Sequence, residues 1–487
     1  MKFWMKEFSG KMVTLLMAIA LIVGAAGSYA IASAVNRQDN ARAIAAESHV
    51  TSGEAAKIQA IHDLIEKDYF RKVSSNALYD GAIQGMVNAL NDPFTSYMNA
   101  KTASSFSQSL SSSFQGIGAE VQQVGGTISI VSPIKGSPAE KAGLKPNDEI
   151  LSINGQSTAG LDVNEAVDKI RGKKGTVVVL GIKRPGVSAV MTFKITRADI
   201  PIRTVNAQML HENGVAIGDI AITQFNENTD QEFAKALKSL EKQQMKGLII
   251  DVRGDPGGYL QAVEKIANLL IPDQKPVVQI EDRDGNKQPV YSTLKSKKSY
   301  PIVGLIDGGS ASAAEILSAA LNQAAGYPLI GVKSFGKGTV QQGITLTDKS
   351  ELKLTTDKWL TPDGDWIHKK GIQPTIKVEQ PVYFNAVPVT LKKGEVLTYD
   401  ENNAQVANVQ KMLIAAGDNP GRTDGYFSAA TVSAVQKFQS AANLPVTGMV
   451  DQQTATALQS ATVAAVSNSA NDSQLHAAIA EILKNIQ

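Results

Sequence analysis

The pattern of apolar positions changes from segment to segment along this 487-residue chain, and each pattern predicts its own kind of element. From Met12 to Val35 they run without a single charge, behind Lys2, Lys6 and Lys11. About 20 apolar residues cross a bilayer core, and flanking lysines hold their end in the cytoplasm. Residues 1–36 are therefore predicted to be a cytoplasmic stub and single-pass transmembrane anchor, with the body after Arg37 outside the cell membrane. A cleaved signal peptide ending at Ser28-Tyr29-Ala30, which would leave the body secreted, is the alternative. Residues 37–112 read as a linker and a helical region: Asn36 to Gly53 lacks apolar period, then Ile61, Leu64, Ile65, Ile83, Met86, Val87 and Leu90 recur at three-to-four spacing until Asp92-Pro93 stops the second helix.

Over 113–199 the pattern changes to short strands such as Ile128–Val131, Glu149–Ile153, Val177–Leu180 and Met191–Ile195. Asn154-Gly155 marks a hairpin, and Val163, Ala166, Val167 and Ile170 insert one helix. Over 200–385 strands and helices alternate. Strands are predicted at Val215–Ile220, Gly247–Val252, Val277–Glu281 and Ile302–Ile306, and helices at Asp230–Gln244, Leu260–Leu270 and Ser312–Asn322. That alternation predicts an α/β layered core, and the unbroken apolar run Leu248-Ile249-Ile250 predicts a sheet covered on both faces. Over 386–460 Gly425, Thr431, Ala434 and Val435 recur 23 residues later as Gly448, Thr454, Ala457 and Leu458, which predicts a small helical module of repeated units. Residues 461–487 read as a C-terminal tail ending in an amphipathic stretch. The fold class is thus α/β and multidomain.

Composition narrows the chemistry. A hydrophobic content of 43% suits packed domains, and a net charge of +2 offers no strong field for nucleic acid. With no cysteine and five histidines, a nucleophile would be an oxygen or an amine. His49, His62, His211, His368 and His476 read as ordinary polar placements. Asp282, Asp284 and Asn286 imitate the start of a calcium loop, but Thr293 stands at its twelfth position, so the segment is a turn. No metal or cofactor is expected.

Two segments remain. Ser310-Ala311-Ser312-Ala313-Ala314-Glu315 follows a predicted buried strand and opens a helix, where unpaired N–H groups can meet a developing oxyanion. The same serines also read as helix caps, with Glu315 completing a capping box from Ser312. The second segment is Gly331 to Gln341, in which Lys337 lies between two glycines. It nearly fits a phosphate-binding loop, but Gly338 replaces the hydroxyl residue and a strand follows instead of a helix. Read alone Lys337 is a turn lysine; read with Ser312 it is a base. A lysine amine serves as base where its surroundings keep it neutral, which near pH 7 asks for about 4 kcal/mol of differential stabilisation. Phe335 is expected to supply part of this as an apolar wall. Gln341, four residues on, shares a face with Lys337 and can orient its amine. Gly257 and Gly258, after the strand ending at Val252, let a backbone N–H approach a reacting carbonyl or form a plain turn.

These motifs resemble the carboxy-terminal processing (tail-specific) proteases, which are Ser/Lys peptidases. The resemblance runs from Ile58 to Val378 and rests on Asp92-Pro93-Phe94-Thr95-Ser96-Tyr97 after Gly85-Met86, Phe114-Gln115-Gly116-Ile117-Gly118, Asp251-Val252-Arg253 with Pro256-Gly257-Gly258, Ser310 to Ile316, Phe335 to Gln341, and Thr361-Pro362-Asp363-Gly364. It implies Ser312 as nucleophile, Lys337 as general base, Gln341 as its orienter, and oxyanion N–H groups from Ala313 and from Gly257 or Gly258. It also implies a core related to the crotonase-like fold. Gly254-Asp255 departs from the two amides common in the family, Ala314 from a serine and Thr375 from an aspartate. Phe114 to Arg197 is similar to a PDZ domain, implying that Gly116, Ile117 and Gly118 hold the terminal carboxylate of a protein substrate and that this module gates the protease. Gln405 to Leu458 resembles a peptidoglycan-binding module, implying wall glycan as a partner. The helices from Ile58 to Leu90 suit a homodimer. Exported or membrane-anchored proteins with exposed C-termini, including envelope signalling proteins, are the expected substrates; a non-catalytic envelope scaffold is the alternative function.

Overall fold

The computed structural model describes residues 52–124, 126–392 and 394–486. The anchor or signal segment expected at Met12–Val35 lies outside these residues, and among the described residues no helix is long and apolar enough to cross a membrane. The chain divides into two compact units. One joins the residues up to Ala103 with Gln341–Thr355; the other joins Ser104–Val340 with Thr356–Gln487.

In the first unit the two expected helices span Ser52–Asp68 and Ser75–Asn88. The Asp-Pro-Phe-Thr motif after them is a turn held by one carboxylate: Asp92 accepts the Phe94 N–H at 3.0 Å and the Thr95 hydroxyl at 2.6 Å. The strand Ser96–Met98 then pairs antiparallel with 351–353.

The second unit contains a sheet of short strands, Ala119–Val124, Thr127–Pro133, Glu149–Ile153, Val177–Lys183 and Met191–Thr196, hydrogen-bonded in that order. Period-two alternation puts Ile128, Ile130, Ile150, Leu180 and Ile182 into its core, closed by the helix Val163–Ile170. Asn154 and Gly155 both take positive φ, as the predicted hairpin turn requires.

The central element is a six-stranded sheet, Val205–Glu212, Val215–Ile222, Gly247–Asp251, Ile302–Ile306, Leu329–Gly331 and Ile376–Lys377 in that order. Only the first pair is antiparallel. Ile220, Leu248, Ile250 and Ile302 face the helices Thr229–Lys242, Leu260–Leu270 and Ala313–Ala319. Ile217, Ile249, Val303 and Ile330 face the opposite way, onto Leu475, Ala478 and Ile482. The covering layer on that side is the helix Ser473–Ile486. Within the segment read as a C-terminal tail, the amphipathic stretch Ser473–Ile486 is thus the second wall of the core. Gly247 makes room for it, since a Cβ there would stand 2.3 Å from Ile482. The strand Pro276–Glu281 also departs from the expected single alternation, pairing instead with Lys287–Tyr291 and with 358–360. The turn joining Pro276–Glu281 to Lys287–Tyr291 is held by Asp282, whose Oδ1 accepts the N–H groups of Asp284 and Asn286.

In the C-terminal module the helices Ala404–Ala415, Ala429–Ala441 and Gln452–Ser467 start from capping side chains of Asn403, Ser428 and Asp451. The internal echo has a physical basis. Buried Gln410 accepts the Gly425 N–H and donates to Thr431, and buried Gln439 accepts the Gly448 N–H and donates to Thr454.

Candidate active site

Three loops at the carboxyl ends of the parallel strands meet around Ser312. The first is Val252–Gly258, following Gly247–Asp251. The second is Asp307–Ala313, following Ile302–Ile306. The third is Val332–Gly338, following Leu329–Gly331. Such strand ends are where open α/β sheets place their sites. Hydrogen bonds lace them together: Ser310 Oγ donates to the Val252 carbonyl at 2.8 Å, Ala311 N–H to the Asp255 carbonyl at 2.9 Å, and Phe335 N–H to the Ser310 carbonyl at 3.0 Å.

Ser312 is half-buried at the N-terminus of the helix Ala313–Ala319, with φ 54° and ψ −113°. A serine with positive φ is strained, and only tight surroundings keep it so. Gly257 supplies that tightness: a Cβ on it would lie 2.8 Å from Ser312 Cβ and 3.0 Å from the Ala313 nitrogen. The Ala313 N–H, first of the helix, has no hydrogen-bond partner among the described residues, nor does the Gly258 N–H. The Gly257 N–H is engaged, donating to Asp255 Oδ1 at 2.8 Å. The two glycines expected as alternatives are thus distinguished, and Gly258 keeps the available donor. Its own approach to the backbone is close, since a Cβ at Gly258 would meet the Phe225 carbonyl oxygen at 2.1 Å.

Glu315 does more than cap a helix. Its fully buried carboxylate accepts the N–H of Ser312 at 2.9 Å, of Lys337 at 2.8 Å and of Gly336 at 2.7 Å, as well as the Ser334 hydroxyl. One side chain therefore fixes the backbone of both candidate residues. The Lys337 loop is gripped from the other side by two indoles: Trp359 Nε1 donates to the Lys337 carbonyl at 2.8 Å and Trp366 Nε1 to the Gly338 carbonyl at 2.7 Å. Phe335 is not the wall expected of it; its side chain is 57% exposed. The sequence motif held Glu315 in view as a cap only, and the tryptophans, over twenty residues downstream of Lys337, gave no local signal.

Gln341 lies on the strand Thr339–Thr345 in the other compact unit, where its amide nitrogen donates to Thr355 Oγ1 at 3.2 Å. Gly116 ends the strand Ser113–Gly116, and Ile117 and Gly118 link it to Ala119–Val124, beside a groove of about 190 Å³ lined by Phe114, Val121, Val163, Val167 and Ile170. The N–H groups of Ile117 and Gly118 have no hydrogen-bond partner among the described residues, while their carbonyls accept from Ala139 and Ile134. Two successive backbone donors beside an apolar groove suit a carboxylate.

Arg253 is bound by Asp251 and by Asp472, the latter at the start of the closing helix, so its charge is already matched. Burial would push Asp472 up, but the Arg253 guanidinium holds it below the usual carboxylate range. Among the described residues no cluster of His, Cys, Asp or Glu is arranged to hold a metal ion.

The chain is similar to known families and proteins along most of its length. The family model of peptidase family S41 matches residues 216–378, that of the activating protease CtpB N-terminal domain 21–102, that of the PDZ domain 129–184, and that of the peptidoglycan binding domain 402–458. The chain is 51% identical over 429 residues to the carboxy-terminal processing protease CtpB of Bacillus subtilis (strain 168), covering 88% of this chain and 89% of the relative. It is 43% identical over 434 residues to the carboxy-terminal processing protease CtpA of the same strain, with 88% and 90% covered. Identity to a probable CtpA-like serine protease of Staphylococcus epidermidis (strain ATCC 12228 / FDA PCI 1200) is 36% over 402 residues, with 82% and 80% covered.

Proposed function

Since the chain belongs to the carboxy-terminal processing proteases of peptidase family S41, which are serine-type peptidases, we propose that Ser312 is its nucleophile and Lys337 its general base. In this reading the Lys337 amine takes the hydroxyl proton as Ser312 Oγ attacks the scissile carbonyl carbon. The N–H groups of Ala313 and Gly258 receive the oxyanion. Collapse of the tetrahedral intermediate breaks the C–N bond, the Lys337 ammonium returns its proton to the leaving amine, and an acyl-enzyme remains on Ser312. Lys337 then activates the water that releases the acid. Gln341, four residues beyond Lys337, is the proposed orienter of the amine.

The observation that supports this most is the Glu315 carboxylate, which accepts backbone N–H groups from both Ser312 and Lys337 and so ties the loop of the one to the loop of the other. The layered sheet around it is the reason to relate the core to the crotonase-like fold. The groove at Gly116–Gly118 is the proposed seat for the C-terminus of a protein substrate, and occupation of that groove gates cleavage. The exposed apolar side chains Ile61, Leu64, Met86 and Leu90 are the reason to propose a homodimer through the first helices. Anchoring by Met12–Val35 places the protease at the outer face of the cell membrane, where exported, membrane-anchored and envelope signalling proteins are its substrates and the C-terminal module meets wall glycan.

The test is cleavage of an unstructured protein by the purified full chain, wild type beside Ser312→Ala and Lys337→Ala, each with and without EDTA. Loss of cleavage in both variants with an unchanged circular dichroism spectrum, and indifference of the wild type to EDTA, is the expected result. Cleavage surviving either substitution removes that residue from the dyad.

A further inference from the structure

The loop Val252–Gly258 carries a carboxyl that the mechanism above leaves unused. Asp255 is fully buried. Its Oδ1 accepts the Gly257 N–H at 2.8 Å, while its buried Oδ2 has no hydrogen-bond partner. Its backbone carbonyl holds the Ala311 N–H, one residue before Ser312, and its own N–H donates to the Val252 carbonyl. Three charged groups on the surrounding loops are committed elsewhere. Arg253 is bound by Asp251 and Asp472, Asp307 accepts the N–H groups of Gly254 and Gly309, and Glu315 accepts those of Ser312, Gly336 and Lys337. Burial and the hydrogen bond from Gly257 are what act on the Asp255 carboxyl. An ionised oxygen in such a place is costly, whereas a neutral carboxyl is tolerated.

We propose that Asp255 is a positioning residue that works in its protonated form: the neutral carboxyl holds the Gly257–Gly258 turn against Ser312, and loss of its proton on the alkaline side displaces that turn and stops cleavage. The inference rests on the reading of Ser312 as nucleophile and of Gly258 as an oxyanion donor. The geometry makes the turn sensitive, because the Gly257 nitrogen bound by Asp255 belongs to the residue packed against Ser312 Cβ, and Gly258 follows it directly. Burial, opposed only by the hydrogen bond from Gly257, pushes the carboxyl up to about 8. It is therefore almost wholly protonated at neutral pH and ionised above. An asparagine here would keep the acceptor for Gly257 and could not ionise.

The experiment is the pH dependence of kcat/KM between pH 6 and 9.5 for the full chain, wild type beside Asp255→Asn, with Ser312→Ala carried as a control. The wild type is expected to lose activity about tenfold per pH unit above roughly pH 8, and the ratio of Asp255→Asn to wild type to rise about tenfold between pH 7 and pH 9. Parallel profiles for the two proteins overturn the proposal. Should Asp255→Asn not fold, the wild type decides alone: an alkaline fall seen equally in the rate of Ser312 phosphonylation by a fluorophosphonate supports it, and a profile flat to pH 9.5 overturns it. Cleavage persisting in Ser312→Ala is a different failure, that of the dyad itself.

Discussion

At the scale of single residues, the loops that carry Ser312 and Lys337 are held in place by other side chains. Glu315 is the clearest case. Three backbone N–H groups and one hydroxyl converge on its two oxygens, and each hydrogen bond to a buried charged acceptor contributes about 1.5–3 kcal/mol. Glu315→Gln replaces one acceptor oxygen by a donor that faces N–H groups already present. We expect it to lower the stability of the core by about 3 kcal/mol, read as a shift of the urea unfolding midpoint, with a larger fall in kcat than change in KM. Unaltered unfolding would mean that the carboxylate does not bind the two loops together. Ser312 and Lys337 stood out in the sequence as the proposed nucleophile and base because a serine after a buried strand and a lysine between glycines are unusual pairings. Their supports did not, because Glu315 reads locally as a helix cap and the indoles of Trp359 and Trp366 reach the Lys337 loop only through the fold.

At the scale of elements, periodicity sufficed wherever one element carried its own pattern. The strands Gly247–Asp251 and Ile302–Ile306 and the helix Leu260–Leu270 lie at or within one residue of where apolar runs put them. The strand Leu329–Gly331 is three residues long, too short to show a period, and the helix starting at Ser312 ends early because Ala320–Ala324 continues as a π-helix turn. Which sheet a strand joins is not a local property, so Pro276–Glu281 appeared as one more strand of the main sheet. The same limit hid the closing helix. Its amphipathic pattern was visible, but the partner of its apolar face lies over 170 residues upstream at Ile249 and Val303. Ile482→Ala empties space beneath the sheet, and we expect a loss of about 3 kcal/mol in urea unfolding. A loss below about 0.5 kcal/mol would place that helix outside the cooperative core.

At the scale of the whole molecule, sequence order and spatial assembly coincide only partly. The PDZ domain, the peptidase core and the peptidoglycan-binding module follow one another along the chain, yet the core is completed by the last helix, beyond the module. Asp472 at the start of that helix binds Arg253 in the loop beside Ser312, so the end of the chain is fastened to the active-site side of the sheet. The central claim is that Ser312, activated by Lys337, performs the attack. Its most direct test is covalent: the full chain is treated with a fluorophosphonate and the adduct located by peptide mass spectrometry. The account predicts a single adduct on Ser312, formed at least a hundredfold more slowly in Lys337→Ala, in line with the usual worth of a general base. An adduct on another serine, or a labelling rate unchanged by Lys337→Ala, would contradict it.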